Sequence, residues 1–220
     1  MQRTILQTAD NSNTIYFKEL DETFHSKNGA LQESVHVFIN AGFDEIIKTK
    51  KQVNIFEVGF GTGLNALLTL IKCCEKKVNI SYIGIDAFPL EKKLIDKLAY
   101  ENLFNKNNFL FFNKMHATKW GEPFLINENF TLKKVDAKLE NYLFDANFDL
   151  IYFDAFAPDK QPELWTEDIF KQIFDNMNEG GILVTYSAKG EVRRCMERAG
   201  FNVERLPGPK GKREMLRARK

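Results

Sequence analysis

At 220 residues, with 44% hydrophobic and 28% charged side chains, the chain has the size and composition of one globular domain and not of a disordered or low-complexity protein. Cys73, Cys74 and Cys195 lack the number and spacing of a disulfide framework or CxxC metal site. Met1 to Leu20 is of mixed charge, and no run reaches the roughly 18 apolar residues of a membrane span, so no membrane is involved and a reducing cytoplasm is the expected compartment. Net charge is only +1, yet eleven Lys or Arg against four Glu from Lys189 onward make the C-terminal end basic, which suits a polyanionic partner and equally a solvated helix face.

Apolar Leu31, Val35, Phe38 and Ile39, after the turn signal Asn28-Gly29, predict a helix. It belongs to an N-terminal accessory segment, residues 1–50, that covers the sheet or the pocket of a core spanning 51–220. Strand 53–58, helix 64–74, strand 78–85 and helix 90–100 begin the core, followed by a Phe-rich stretch at 108–112 without an assigned element. Residues 123–126 and 130–135, separated by Asn127-Glu128-Asn129, are expected to pair as a hairpin. Helix 137–144, strand 148–153, helix 163–176, strand 181–186, helix 190–199, strand 202–206 and strand 213–219 complete the pattern. Strands separated by helices imply a doubly wound α/β fold whose sheet is mostly parallel, with ligands held beyond the carboxyl ends of the strands. The last two strands, joined by Pro207-Gly-Pro-Lys-Gly211, are too close for a helical crossover and imply an antiparallel finish.

Glu57-Val-Gly-Phe-Gly-Thr-Gly63 closes the first core strand and opens the first core helix, where backbone N–H groups can face a polar ligand. Leu64 is too bulky for the tight pyrophosphate packing of a dinucleotide fold, whereas an ExGxGxG pattern is met in full. Glu57, Gly59, Phe60, Gly61, Thr62 and Gly63 are therefore the cofactor candidates. Asp86 ends the second strand, where a carboxylate can accept two bonds from ribose hydroxyls. Asp136 either receives a bond from an adenine amine or caps the helix after it. Three acids at successive strand ends suit the ribose, amine and sulfonium parts of S-adenosylmethionine (SAM), and no GxxxxGK[ST] run argues for ATP or GTP. Asp154, followed by Ala-Phe-Ala-Pro158, ends the strand that should lie beside the methyl donor. It is either the catalytic carboxylate or a loop-capping acid. His25, His36 and His116 have no metal-ligand spacing, and no metal is expected.

The chain resembles the methyltransferase portion of the bifunctional tRNA wobble-uridine enzymes of the MnmC family and their stand-alone relatives. The resemblance rests on Phe24-His-Ser-Lys-Asn-Gly29 with Glu33, Gly59-Phe-Gly-Thr-Gly-Leu-Asn65, Phe88-Pro-Leu90, and Asp154-Ala-Phe-Ala-Pro-Asp-Lys-Gln-Pro-Glu-Leu-Trp-Thr166. Val192-Arg-Arg194, Ala199-Gly-Phe201 and Gly211-Lys-Arg-Glu-Met-Leu216 extend it to the end. It implies a seven-stranded class I SAM-methyltransferase sheet with an antiparallel last strand. It also implies methylation of the 5-aminomethyl group of wobble uridine to 5-methylaminomethyl-(2-thio)uridine, with the tRNA anticodon stem-loop as partner. The glycines, Asp86 and Asp136 then carry over to SAM, and Asp154 to the substrate amine; Asp86 stands where many members have Glu. No room is left for an oxidase half, so the aminomethyl precursor is expected from a separate oxidase or the upstream pathway. Lys189, Arg193, Arg194, Lys210, Lys212 and Arg213 are the expected phosphate surface. Trp165 either stacks on a base or packs in the core. The alternatives are a small-amine (polyamine-type) transferase using SAM or a derivative, and a non-catalytic tRNA-binding relative.

Overall fold

The computed structural model describes residues 3–220; Met1 and Gln2, which open the accessory segment, lie outside the described residues. Strands β1 (Arg3–Gln7), β2 (Asn13–Phe17) and β3 (Glu22–Thr23) form a small antiparallel sheet that the sequence pattern did not announce. The expected N-terminal helix is longer than its apolar repeat. It runs through α1 (Ala30–Ser34), a π-helical stretch Val35–Phe43 and α2 (Asp44–Ile46). Val37, Phe38, Ile39 and Phe43 are buried against the main sheet. Gly42 lets the backbone sit close there: a Cβ at this position would stand 3.0 Å from Val184 Cγ2 and 3.3 Å from Leu150 Cδ1.

The core alternates as expected through β4 (Gln52–Val58), α3 (Leu64–Lys76), β5 (Asn79–Asp86), α4 (Lys92–Asp96), α5 (Lys106–Ala117), β6 (Pro123–Asn127) and β7 (Phe130–Asp136). It continues with β8 (Phe148–Phe153), α6 (Glu167–Asp175), β9 (Met177–Thr185), α7 (Gly190–Ala199), β10 (Asn202–Pro207) and β11 (Glu214–Arg219). Strand order is β10-β11-β9-β8-β4-β5-β7-β6. The five central strands are parallel, and β11 is antiparallel to both β10 and β9. The main sheet thus has eight strands and not seven, because β6, the outer arm of the expected hairpin, adds an antiparallel edge to β7. From β4 the chain winds outward to β5 and β7, then returns to β8 on the other side of β4. The crevice at this reversal is where an open α/β sheet binds ligands.

Three expectations need correction. Residues 137–144 form no helix but a single 3₁₀ turn, Leu139–Asn141. The connection from 137 to 147 must pass β5 and β4 to reach β8, three strand spacings of about 4.8 Å, and an extended chain covers that span while docking Tyr142 and Phe144 on Phe56. Helix 90–100 shrinks to α4 plus a 3₁₀ turn, Tyr100–Asn102. The Phe-rich stretch lies inside α5, capped by Asn105, whose side chain accepts from the Asn108 N–H. Among the described residues no helix is long and apolar enough to cross a membrane.

Candidate active site

A cavity of about 510 Å³ opens at the carboxyl ends of β4, β5 and β8, and strand pairing dictates what stands on its wall. Such a volume is in the usual range for a small-molecule site. Phe17 and Thr23 of the N-terminal sheet and Lys212 of the β10–β11 loop close its outer side.

The glycine turn after β4 forms one wall. Gly59 (φ +87) and Gly61 (φ +50) occupy left-handed backbone that side chains resist. A Cβ on Gly59 would be 2.6 Å from the Asp154 carbonyl oxygen, and one on Gly61 would meet the Phe24 ring at 3.1 Å. Both N–H groups of Gly59 and Phe60 donate to Ile85 O, tying the turn to β5. The Asp86 carboxylate grips the same turn: Oδ2 accepts from Gly61 N–H at 2.8 Å and Oδ1 from Phe88 N–H at 2.8 Å. Burial raises the Asp86 carboxyl above its ordinary value, against these two bonds and the nearby Arg3. Arg3 itself reaches from β1 to donate to Phe88 O and Pro89 O. Thr62 is held from two sides, its hydroxyl by His25 Nε2 at 3.3 Å and its carbonyl by His116 Nε2 at 3.0 Å. Burial lowers both imidazoles to about 4, so they are neutral struts. A glycine cradle with a carboxylate at the next strand end fits a cationic, hydroxyl-bearing cofactor such as SAM.

Asp154 stands at the end of β8, its N–H bonded to Val58 O. Oδ2 accepts from Asn65 Nδ2 at 2.8 Å, and the same nitrogen donates to Glu57 Oε1 at 2.9 Å. Burial pushes the Asp154 carboxyl up to about 7, helped by the charge of Glu33 and opposed by Asn65 and Lys212. Around it lie Phe24 and Phe156, in edge contact at 5.2 Å, and Tyr186, whose hydroxyl donates to Ala155 O at 2.8 Å. A carboxyl poised near neutrality beside apolar rings can bind an ammonium group and accept its proton.

The structure brings Gly59, Phe60, Gly61, Thr62, Asp86 and Asp154 to this one cavity. The Phe60 ring itself packs toward His116 and Trp120. Glu57 is fully buried and stands behind the wall, reaching the site through Asn65. Its carboxyl is pushed well above the ordinary range, first by burial. Asp136 is exposed beside Asp86 in the strand register; the helix it would cap is absent, and 137–140 supply the wall there. Trp165 is a core residue: it is 5% exposed, packs on Phe153, and its Nε1–H donates to Phe156 O. The basic surface is smaller than expected. Lys189 pairs with Asp159 and Arg193 with Glu197, while Lys212 turns into the cavity wall. Arg194, Lys210 and Arg213 are exposed and have no ion pair among the described residues. Sequence reasoning assigned no role to Asn65, Tyr186 or Arg3. Asn65 alone carried a local signal, two residues beyond the glycine run.

Residues 116–220 match the family described as S-adenosyl-L-methionine-dependent methyltransferase. Over 211 residues the chain is 34% identical to the tRNA 5-methylaminomethyl-2-thiouridine biosynthesis bifunctional protein MnmC of Campylobacter hominis, a match covering 94% of this chain and 31% of that protein. The chain thus spans about a third of the length of that relative. The crystal structure of MNMC2 from Aquifex aeolicus is similar at 27% identity with a TM-score of 0.83, over 99% of this chain and 70% of that one. Spermidine synthase from Thermotoga maritima, at 13% identity and a TM-score of 0.61 over 99% of this chain and 68% of that one, shares the fold alone. The chain is thus similar over most of its length to about a third of a bifunctional MnmC protein, and residues 116–220 carry the match to the S-adenosyl-L-methionine-dependent methyltransferase family.

Proposed function

We propose that the chain methylates the 5-aminomethyl group of wobble uridine in tRNA, giving 5-methylaminomethyl-(2-thio)uridine, and that it does so in the cytoplasm on the anticodon stem-loop. The observation that carries this reading is the half-buried Asp154 carboxyl beside the glycine turn, on the cavity wall it shares with Phe24 and Phe156. SAM, held by the glycine turn and Asp86, supplies a methyl carbon already activated by its sulfonium. The nucleophile is the difficulty. A free alkylamine with a pKa near that of Lys, about 10.4, is protonated at neutral pH and has no lone pair. Asp154 in its ionised form binds the ammonium and orients it toward the methyl carbon. With its own carboxyl at about 7, it is a better proton acceptor than an ordinary carboxylate. Asp154 charge also raises the amine pKa, and the rings of Phe24 and Phe156 oppose that by excluding water. Positioning therefore contributes at least as much as basicity.

The amine must be exposed before this step, by an oxidase or directly by the upstream pathway. Exposed Arg194, Lys210 and Arg213 suit tRNA phosphates, so affinity should fall with salt. The test is incubation with labelled SAM and tRNA from cells that accumulate aminomethyluridine, followed by digestion and identification of the labelled nucleoside. Asp154→Asn is expected to keep SAM binding and lose turnover by about 100-fold or more. Label transferred to free polyamines and not to tRNA would replace this reading with a small-amine transferase.

A further inference from the structure

Glu33, from the accessory segment, and Lys212, from the β10–β11 loop, meet on the wall of the cavity that Asp154 also lines. Glu33, at the end of the first helical turns, is 7% exposed. Its Oε2 accepts from Ser26 N–H at 2.9 Å, fixing the loop that carries Phe24. Its Oε1 accepts from Lys212 Nζ at 2.6 Å, and that ammonium lies 3.9 Å from the centre of the Tyr186 ring. The Tyr186 hydroxyl in turn holds Ala155 O, next to Asp154. Gly211 is packed so tightly on Asn28 that a Cβ there would come within 2.1 Å of Asn28 Nδ2. His36 Nε2 donates to Pro207 O at 2.8 Å on the same seam. Glu33 and Lys212 both line the cavity.

We infer that Glu33 and Lys212 form a positioning pair for methyl transfer: by cancelling the charge of Glu33 on the cavity wall, Lys212 leaves Asp154 as the carboxylate to which the substrate ammonium docks. The inference rests on the functional reading above and adds two residues to it. Without Lys212, a second anionic carboxylate on the wall would compete for the ammonium and hold Asp154 protonated to higher pH. Without Glu33, Lys212 would face Asp154 as an uncancelled cation and repel the ammonium. The other ionisable groups bearing on Asp154 are Glu57 and Tyr82, behind Asn65, and Tyr186, beyond the end of β9. They are common to all variants compared.

The Asp154 carboxyl can be followed directly by ¹³C NMR of protein labelled at aspartate Cγ, with Asp154→Asn assigning the resonance. Lys212→Met is expected to move its midpoint up by roughly one pH unit and Glu33→Gln to move it down by about as much. The double variant should return close to the wild-type midpoint, and Lys212→Arg should not depart from it. The ascending limb of kcat/KM against pH, measured on aminomethyluridine tRNA, should shift in step. A pair that only clasps two loops would lower activity without moving the midpoint, and the double variant would be no better than either single one. Unmoved midpoints, or two single variants moving the same way, overturn the inference; Glu33→Gln carries the test should Lys212→Met fail to fold. The NMR arm needs no substrate. A wild-type protein that ignores the tRNA while its midpoints move as stated would sink the functional reading and leave the electrostatic pairing standing.

Discussion

The Asn65 amide nitrogen lies 2.9 Å from Glu57 and 2.8 Å from Asp154, so its two hydrogens serve a fully buried and a half-buried carboxylate at once. Each carboxyl is raised mainly by burial, and in each the Asn65 bond works in the opposite direction. Asn65→Leu would strip both of that donor in a site that is 3% exposed. It is expected to destabilise the fold by about 2 to 4 kcal/mol and to cost turnover through misplaced Asp154. Urea denaturation alongside the methylation assay measures both, and a variant of wild-type stability would show that the bridge is dispensable. The bridge also explains what could be read at residue level. Gly59, Gly61, Asp86 and Asp154 occupy strand ends, where motif and topology coincide, so their convergence was legible. Glu57 belongs to the same motif but sits on a central strand covered on both faces, and nothing in spacing alone distinguishes a wall residue from one behind it.

Helix α5 shows where elements were harder to read. Phe109, Leu110, Phe111 and Phe112 form an unbroken apolar run, which is a poor guide to period. In the fold, Phe112 and Met115 turn inward at helical spacing, while Leu110 remains 56% exposed. The local signal was Asn105, whose side chain accepts from Asn108 N–H at 2.9 Å and ends the preceding loop. Asn105→Ala should cost about 1 kcal/mol. The loss should appear as a lower urea midpoint with an unchanged slope, and an unaltered midpoint would mean that tertiary contacts alone define the helix start. The opposite misreading occurred at 137–144, where helical spacing of Leu139, Tyr142 and Phe144 reflects docking on Phe56 by an extended crossover. Strand-helix alternation was legible from β4 through α3 to β5 and from β8 through α6, β9 and α7 to β10, where each element carries its own periodicity. The N-terminal sheet was not, because β1, β2 and β3 are short and their burial depends on partners distant in the chain.

Across the whole molecule, the C-terminal strand and the loop before it are tied to the N-terminal helix by groups far away in sequence. Arg219 pairs with Glu45, Arg217 donates to Ala41 O, and Lys212 pairs with Glu33, so three cations of the basic C-terminal end bind the N-terminal helix. Inside this closure three titrating groups act on stability in opposite senses. His25 and His116 are lowered by burial from 6.5 to about 4. Their contribution is therefore fully present above 6.5 and is lost as pH falls through about 4. Asp154 is raised from 3.8 to about 7, so the folded chain retains a proton that the unfolded chain releases. Its contribution is fully present below 3.8 and is lost as pH rises through about 7. Asparagine resembles the neutral acid in shape and cannot ionise. Asp154→Asn should therefore gain on the wild type as pH rises from about 4 to about 7, by roughly 2 to 4 kcal/mol, with the gap level at higher pH. Urea denaturation of both proteins across that range gives the difference directly. Parallel curves would mean that Asp154 is ionised throughout, and a carboxylate that never holds a proton in this range would bind the amine without accepting its proton.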